Sequence, residues 1–488
     1  MYATPEPRSI AMDSTKPPAA DTMIENRTFD EIAVGDGASL SRTVTQQDID
    51  LFAVVSGDIN PAHMDPAYAR TDIFHKVIAH GMLGAGLISS VLGTKLPGPG
   101  TIYLAQDLCF LHPVSIGDTV TATLTVTEKH ADKGDLVLDC RCTNQKGQLV
   151  ISGTAHVRAP VEKICRPRVE LPEVRLSRHE RFRALLAEAA GHEPLATAVA
   201  HPCDAGALGA VVQAARAGLI APILVGPKAK ILTAAETAKV AISGFPLVDV
   251  PHSHAAAAAA VALVQKGDAA LLMKGSLHTD ELLQAVLAPD SNLRTGRRLS
   301  HVYLMDVPSY PRPLLVTDAA VNIAPDLEQK RDIVQNAIDL AHIMGVETPR
   351  VAVLSAVETV NPKMRSTLDA AALCKMADRG QIIGGWLDGP LAFDNAVSPT
   401  AAAEKGIVSE VAGRADILLV PDLEAGNMLA KQLIFLAGAD AAGVVLGARV
   451  PIMLTSRADA ERTRIASCAV AVLIARHRAS VPQSAVPV

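Results

Sequence analysis

Aromatic residues make up only 3% of this 488-residue sequence. With Ala and Val abundant, so thin a supply of rings argues against an aromatic-rich β-sandwich and favours layered α/β packing. The seven cysteines are scattered and none forms a C-x-x-C pair, which points to reduced thiols rather than a disulfide framework. No apolar run reaches bilayer length; AAAAAAVALV at 255–264 is about half what a spanning helix needs. Residues 1–22 are rich in Pro, Ala and charge, lack the apolar centre of a signal peptide, and read as a disordered tail. A net charge of −6 leaves no basic footprint for nucleic acid. The expectation is a soluble, cytoplasmic protein with no membrane or nucleic-acid partner, in which a few placed cations and backbone N–H groups hold any anionic substrate.

With 49% hydrophobic and 20% charged residues, the composition is that of an ordinary globular protein. The length calls for two or three folding units. The pattern changes near residue 160. Before it, one helical segment at 79–93 precedes strand-like runs such as DTVTATLTVTEKH and QLVISGTAHVRA, separated by turns such as IGD and QKGQ. One helix against a curled antiparallel sheet is an α+β layout. After it, apolar strands such as AALLMKG, PLLVTDAAV and ADILLVPD alternate with helices, the mark of a mostly parallel sheet covered on both faces. The expected organisation is a 23–160 domain, a Pro-punctuated linker at 161–178, and a second domain at 179–488. No internal repeat is present.

The segment SGDINPAHMDPAYA at 56–69 sets Asp58 and His63 five residues apart, with Gly57 and Pro61 interrupting regular structure. Further on, HGMLGAGLISSVLG places His80-Gly81 at a helix start, where unpaired N–H groups and the positive dipole end suit a developing oxyanion. A carboxylate and an imidazole that share a water, facing such a donor, are the equipment for adding water to an α,β-unsaturated thioester. FAVVSGDINPAHMDPAYA and HGMLGAGLISSVLGTKLPGPGTIYLAQDLCF resemble the MaoC-like (R)-specific enoyl-CoA hydratases over residues 23–160. The resemblance implies a hotdog fold, a long helix wrapped by an antiparallel sheet, assembled as dimers. It also implies Asp58 and His63 as the catalytic pair, the Gly81 backbone as oxyanion donor and Ser89 as a substrate-side hydroxyl. Asn60 would shape the loop or orient a partner. A thioesterase or a binding module is the rival within the same fold, but hotdog thioesterases generally lack the G-D-x-N-P-x-H arrangement.

In the second half no G-x-G-x-x-G follows the first strand and no G-x-x-x-x-G-K-[ST] occurs, which excludes the standard dinucleotide and P-loop signatures. Polar residues stand instead at the ends of apolar strands: Lys274 and Gly275, with Thr279 opening a helix; Asp318 and Asn322; Asp422, Glu424 and Asn427; and Ser456 with Arg457. The motifs MKGSLHT, DAAVNIAPDLEQK, GPLAFDNAVS, PDLEAGNM and LTSRADA resemble the phosphate acetyltransferase/phosphate butyryltransferase family over residues 179–483, nearest its butyryl branch. That resemblance implies an α/β two-subdomain fold that exchanges an acyl group between CoA and phosphate. Arg457 would grip phosphate, Ser456 would donate to the thiolate, and N–H groups near Gly275 would receive the carbonyl charge. Thr279, Asn322 and Asn427 would line the site. Where the acetyl branch carries an Asp seven positions after this Ser, Thr463 stands here, leaving the proton acceptor open. Cys203 and Cys374 lack a His partner in sequence and read as packing residues.

The combined expectation is an α+β hotdog domain followed by a phosphate acetyl/butyryltransferase-like domain: a bifunctional acyl-CoA enzyme. CoA thioesters and phosphate are its substrates, it uses no metal or redox cofactor, and it assembles as a homo-oligomer. The alternatives are a hydratase whose transferase domain is degenerate, and a CoA-ester-binding sensor.

Overall fold

The computed structural model describes residues 23–172, 174, 176, 179–454 and 459–480. The tail at 1–22 and the pair Ser456 and Arg457 lie outside them. The chain divides into two compact units at residue 176.

In the first unit the strands are β1 (Met23–Glu25), β2 (Gly37–Thr43), β3 (Ile102–Phe110), β4 (Thr119–His130), β5 (Asp135–Thr143), β6 (Leu149–Arg158) and β7 (Cys165–Pro167). Five of them form an antiparallel sheet in the order β2-β4-β5-β6-β3. Alternation sends Val120, Ala122, Leu124 and Val126 of β4, and Leu136, Leu138, Cys140 and Cys142 of β5, to the buried face. There they meet Ile88, Val91 and Leu92 of the central helix α4 (Gly81–Thr94). Helix propensity does not explain a helix with Gly at 81, 84, 86 and 93; packing does. A Cβ at Gly84 would stand 2.5 Å from the Ile151 side chain, so the glycine lets α4 sit close on β6. The segment expected as a linker at 161–178 contributes β7, which pairs antiparallel with β1.

Three short helices precede α4: α1 (Gln46–Ser56), α2 (Pro61–Met64) and α3 (Pro66–Ala69). A capping box between Thr45 and Asp48 starts α1, and Gly57, at φ +75°, ends it. Asn60 then caps α2, its Oδ1 accepting from the Ala62 N–H at 3.1 Å, with Pro61 at the first helical position. The break between α1 and α2 is therefore built by the residues that sequence alone singled out.

The second unit is organised on one eleven-stranded sheet: β8 (Leu195–Ala200), β9 (Ile220–Gly226), β10 (Leu247–Asp249), β11 (Leu271–Lys274), β12 (Ser300–Asp306), β13 (Leu314–Thr317), β14 (Arg350–Leu354), β15 (Trp386–Leu391), β16 (Ile417–Leu419), β17 (Asp440–Leu446) and β18 (Ile452–Met453). The order is β10-β9-β8-β11-β18-β17-β12-β13-β16-β14-β15. Pairing is parallel except at β18-β17, β17-β12 and β12-β13, so the middle strands reverse direction within a mostly parallel sheet. Nearly continuous burial along β11, β12 and β17 follows from helices on both faces. The alanine run lies on helix Ser253–Lys266, which buries Ala256, Ala257 and Ala260 in the core. No described helix is long and apolar enough to cross a membrane.

Candidate functional site

The loop between α1 and α2 meets the start of α4, and three polar side chains converge there. Asp58, His63 and His80 offer one ligating atom each, all within 4.8 Å of one another. Asp58 is exposed, and its Oδ1 accepts from the Asn60 N–H at 3.1 Å. His63 is half-buried, with Nδ1 2.8 Å from the Ile78 carbonyl oxygen. Since a carbonyl only accepts, Nδ1 carries the proton and Nε2 presents a lone pair. The imidazole of His80 stacks on that of His63 with centroids 4.0 Å apart.

His80 is the residue that sequence reasoning passed over as a side chain, having used it only to mark a helix boundary. It is 3% exposed, packs against Phe52 at 5.0 Å, and donates from Nε2 to the Asp58 carbonyl oxygen at 3.0 Å. A histidine N-cap that makes no cap hydrogen bond is the signal that something other than capping selects it. Gly81 follows as the first residue of α4, a position whose N–H has no intrahelical acceptor. A Cβ there would stand 3.0 Å from the Phe110 ring.

A cavity of about 320 Å³ opens beside this cluster, lined by His63, His80 and Gly81 at its polar side and by residues such as Leu83, Leu87, Phe110 and Ile151 at its apolar side. His112 also lines it while bonding the Leu149 carbonyl oxygen through Nδ1 at 2.9 Å. Ser89 is exposed on α4 and is not among the lining residues. Asn60 serves as the α2 cap.

In the second unit the candidate residues form two separate turns. At the end of β11, the Gly275 N–H bonds the Ala200 carbonyl oxygen and the Ser276 N–H bonds that of His201, both at 2.8 Å. Lys274 is 7% exposed, and its Nζ donates to the carbonyl oxygens of Gly275 and Leu277 at 3.3 and 3.2 Å. Thr279 begins helix Thr279–Leu287 close behind. Met273 pairs with Met453, so β18 runs beside β11.

The other turn follows β13. Buried Asp318 accepts from the Ala320 and Val321 N–H groups at 2.9 Å and from Asn322 Nδ2 at 2.5 Å. Asn322 Nδ2 also donates to the Leu299 carbonyl oxygen, and its Oδ1 accepts from Arg298 Nε, both at 2.8 Å. Asn427 Nδ2 donates to the Ala319 carbonyl oxygen at 3.1 Å, and Asp422 caps the same helix by accepting from the Ala425 N–H at 2.9 Å. Both carboxamides therefore hold the turn in shape. The strands β11 and β13 run in opposite directions with three strands between them, so the topology keeps these two sets apart.

Burial pushes the thiols of Cys203 and Cys374 up to about 11 and about 12, so neither is a thiolate at neutral pH. Thr463 is 7% exposed, and its carbonyl oxygen accepts from Ser467 Oγ at 2.7 Å. Asp459 is half-buried near Tyr303, whose hydroxyl is pushed well above its ordinary range by burial and then by the Asp459 charge.

His301 is fully buried against Tyr303, at a centroid distance of 4.5 Å, and desolvation pulls its pKa down to about 4 although the Asp318 charge acts in the opposite sense. The folded value lies below the unfolded 6.5, so this contribution to stability is whole above pH 6.5 and is lost as the pH falls towards 4. Unfolding by urea, followed through the fluorescence of Trp386, the chain's single tryptophan, should show a loss on the order of 2 kcal/mol between pH 7.5 and pH 5. The loss should be absent in His301→Gln; an equal slope in both proteins would remove His301 as its source.

Residues 253–472 match the family described as phosphate acetyl/butaryl transferase, and residues 33–139 match the MaoC like domain. A phosphate acetyltransferase of Rhizobium meliloti is 62% identical over 63% of this chain and 97% of its own length. The quoted motifs had pointed towards the butyryl branch; this relative is named for acetyl transfer. The solved structure of a branched-chain phosphotransacylase from Enterococcus faecalis V583 is 31% identical, with a TM-score of 0.51 over 58% of this chain and 99% of that one. The (R)-hydratase PhaJ1 from Pseudomonas aeruginosa is 43% identical over 32% of this chain and all of that one, with a TM-score of 0.31.

Proposed function

Because the chain belongs to the phosphate acetyl/butyryl transferase family and carries a MaoC-like domain ahead of that region, we propose that it is a bifunctional acyl-CoA enzyme. The first unit adds water to a trans-2-enoyl-CoA to give an (R)-3-hydroxyacyl-CoA. The second exchanges an acyl group between CoA and phosphate. The observation that carries the first activity is the cluster of Asp58 and His63 beside the first turn of α4, with His63 and Gly81 lining a cavity and His63 Nε2 left bare.

In that geometry a water held by Asp58 and His63 gives a proton to the pair as its oxygen bonds the β-carbon. The double-bond electrons move onto the thioester oxygen, where the Gly81 N–H receives the charge, and the proton returns to the α-carbon. Each half of this has a known scale: ~10²–10⁴-fold for positioned proton transfer and about 3–4 kcal/mol for an oxyanion donor. In the second unit, a phosphate oxygen attacks the thioester carbon and the thiolate departs. No acyl-enzyme is needed, since bringing two substrates into contact lowers the barrier enough; the high thiol pKa values of Cys203 and Cys374 fit that route. Arg457 would bind phosphate and Ser456 would support the thiolate, with the Lys274-Gly275 turn as a further part of the site.

The exposed edge strand β3, with Ile102, Tyr103 and Leu104 at its surface, fits a homo-oligomer paired through that edge; sedimentation showing a monomer at micromolar concentration would oppose it. CoA thioesters also fit a cytoplasmic protein of fatty-acid metabolism that needs no metal or redox cofactor for turnover. One preparation tests both activities: loss of enoyl absorbance with crotonyl-CoA, and phosphate-dependent CoA release from acetyl-CoA and butyryl-CoA. Absence of either signal removes that half of the reading and leaves the other standing.

A further inference from the structure

Two of the three polar side chains at the hydration site are held in tautomers that each leave one ring nitrogen with a bare lone pair. His63 donates from Nδ1 to the Ile78 carbonyl oxygen, which bares Nε2. His80 donates from Nε2 to the Asp58 carbonyl oxygen, which bares Nδ1. That Nδ1 is buried and has no hydrogen-bond partner among the described residues, an unfavourable condition unless something fills it. Backbone carbonyls that fix the far nitrogen of each imidazole are the outer support typical of histidine metal ligands. One ligating atom from each of Asp58, His63 and His80 lies within 4.8 Å of the other two.

We propose that Asp58, His63 and His80 bind one divalent first-row cation, zinc by preference, and that occupancy shuts off hydration. Two neutral imidazoles and one carboxylate are a borderline-soft donor set, suited to zinc and unsuited to magnesium or calcium, which take oxygen ligands. Ligands about 2.1 Å from a tetrahedral zinc stand about 3.4 Å apart, so the carboxylate must close by about an ångström while the His63 and His80 rings, with centroids 4.0 Å apart, splay to bring both nitrogens onto the ion. Asp58 is able to move, being exposed on the loop between α1 and α2. His63 and His80 both line the cavity, which gives the ion its entry. The ion takes the lone pair and the carboxylate that would otherwise hold the attacking water. The inhibitory consequence rests on the hydratase reading; the binding itself rests on geometry alone.

The test uses the full-length protein stripped of metal. Titration with Co²⁺ should produce the visible absorption of a tetrahedral nitrogen-ligated ion, displaced by Zn²⁺, and calorimetry should count the zinc bound. Exposed Cys109 and Cys165 also offer thiols to zinc, so the decisive quantity is the single ion lost in His80→Gln and again in Asp58→Asn. Phosphate-dependent CoA release and the thermal midpoint report that the variants remain folded. Saturating zinc should lower hydration by roughly a hundred-fold, reversibly with chelator, and leave acyl transfer unchanged. Equal zinc stoichiometry in wild type and both variants overturns the site, and unaltered hydration at saturation overturns the inhibition. A protein that binds the ion yet consumes no enoyl-CoA when metal-free supports the site and overturns the hydratase reading instead.

Discussion

Asp58→Asn should slow hydration of crotonyl-CoA by roughly 10²–10⁴-fold with acyl transfer to phosphate unchanged. The substitution conserves shape. The Asp58 carboxylate Oδ1 accepts from the Asn60 N–H at 3.1 Å, and a carboxamide oxygen can accept the same bond. The loop therefore keeps its course, and because the side chain is exposed the thermal midpoint should hardly change. What disappears, on the proposed mechanism, is the negative charge that orients water against His63 and stabilises the imidazolium formed when Nε2 takes a proton. The loss should fall on kcat more than on KM, since the interaction strengthens as the proton moves. His63→Gln should reach a similar floor, and the double variant should be little worse than either single one, because the two groups act on one water. Hydration at the wild-type rate in Asp58→Asn would end the assignment of this pair.

The second large effect belongs to the transferase unit. Gly275→Ala should lower phosphate-dependent CoA release by roughly 10²-fold while hydration proceeds normally. A Cβ at this position would stand 2.5 Å from the carbonyl oxygens of both Ala200 and His201, and both are backbone atoms that cannot swing away. Relief requires the ends of β8 and β11 to part, which breaks the 2.8 Å bonds from the Gly275 and Ser276 N–H groups. Overpacking of this kind costs about 1–3 kcal/mol. The consequence for rate is larger: Lys274 rides on the same turn, and a displacement of about 1 Å at a reacting centre is worth roughly 10²-fold. Gly267→Ala is the matching control for a glycine whose added Cβ meets no atom within 4 Å, although its φ of +84° carries backbone strain. Retained acyl transfer in Gly275→Ala would show that the turn at the end of β11 is remote from the chemistry.

Much of the hydration site was readable as local punctuation. Gly57 ends α1 and Asn60-Pro61 starts α2 because a positive φ, a side-chain cap and a missing N–H act within three or four residues. The strands of the second unit were readable for a similar reason: a run such as LLMK or LLVT is apolar over its whole length only if both faces are covered. The helix expected at 79–93 runs from Gly81 to Thr94, the difference being the cap at His80.

Chain neighbours could not supply the rest. That His80 would stack on His63, seventeen residues away, depends on where α4 docks, and that is decided by the glycine faces it sets against Phe110 and Ile151. Asn322 and Asn427 look in sequence like groups waiting for a ligand; folded, Asn322 donates to the Leu299 carbonyl oxygen and the Asp318 carboxylate, and Asn427 to the Ala319 carbonyl oxygen of the turn after β13. The reversal of β17 and β12 inside a parallel sheet, and the pairing of β1 with β7 across 140 residues, are long-range matches of hydrogen-bonding edges. Residue order carries the information for turns, caps and buried runs because those are settled over a few bonds. Which polar atoms end up bare, and towards what, is settled only when distant segments compete for the same carbonyls and the same buried volume.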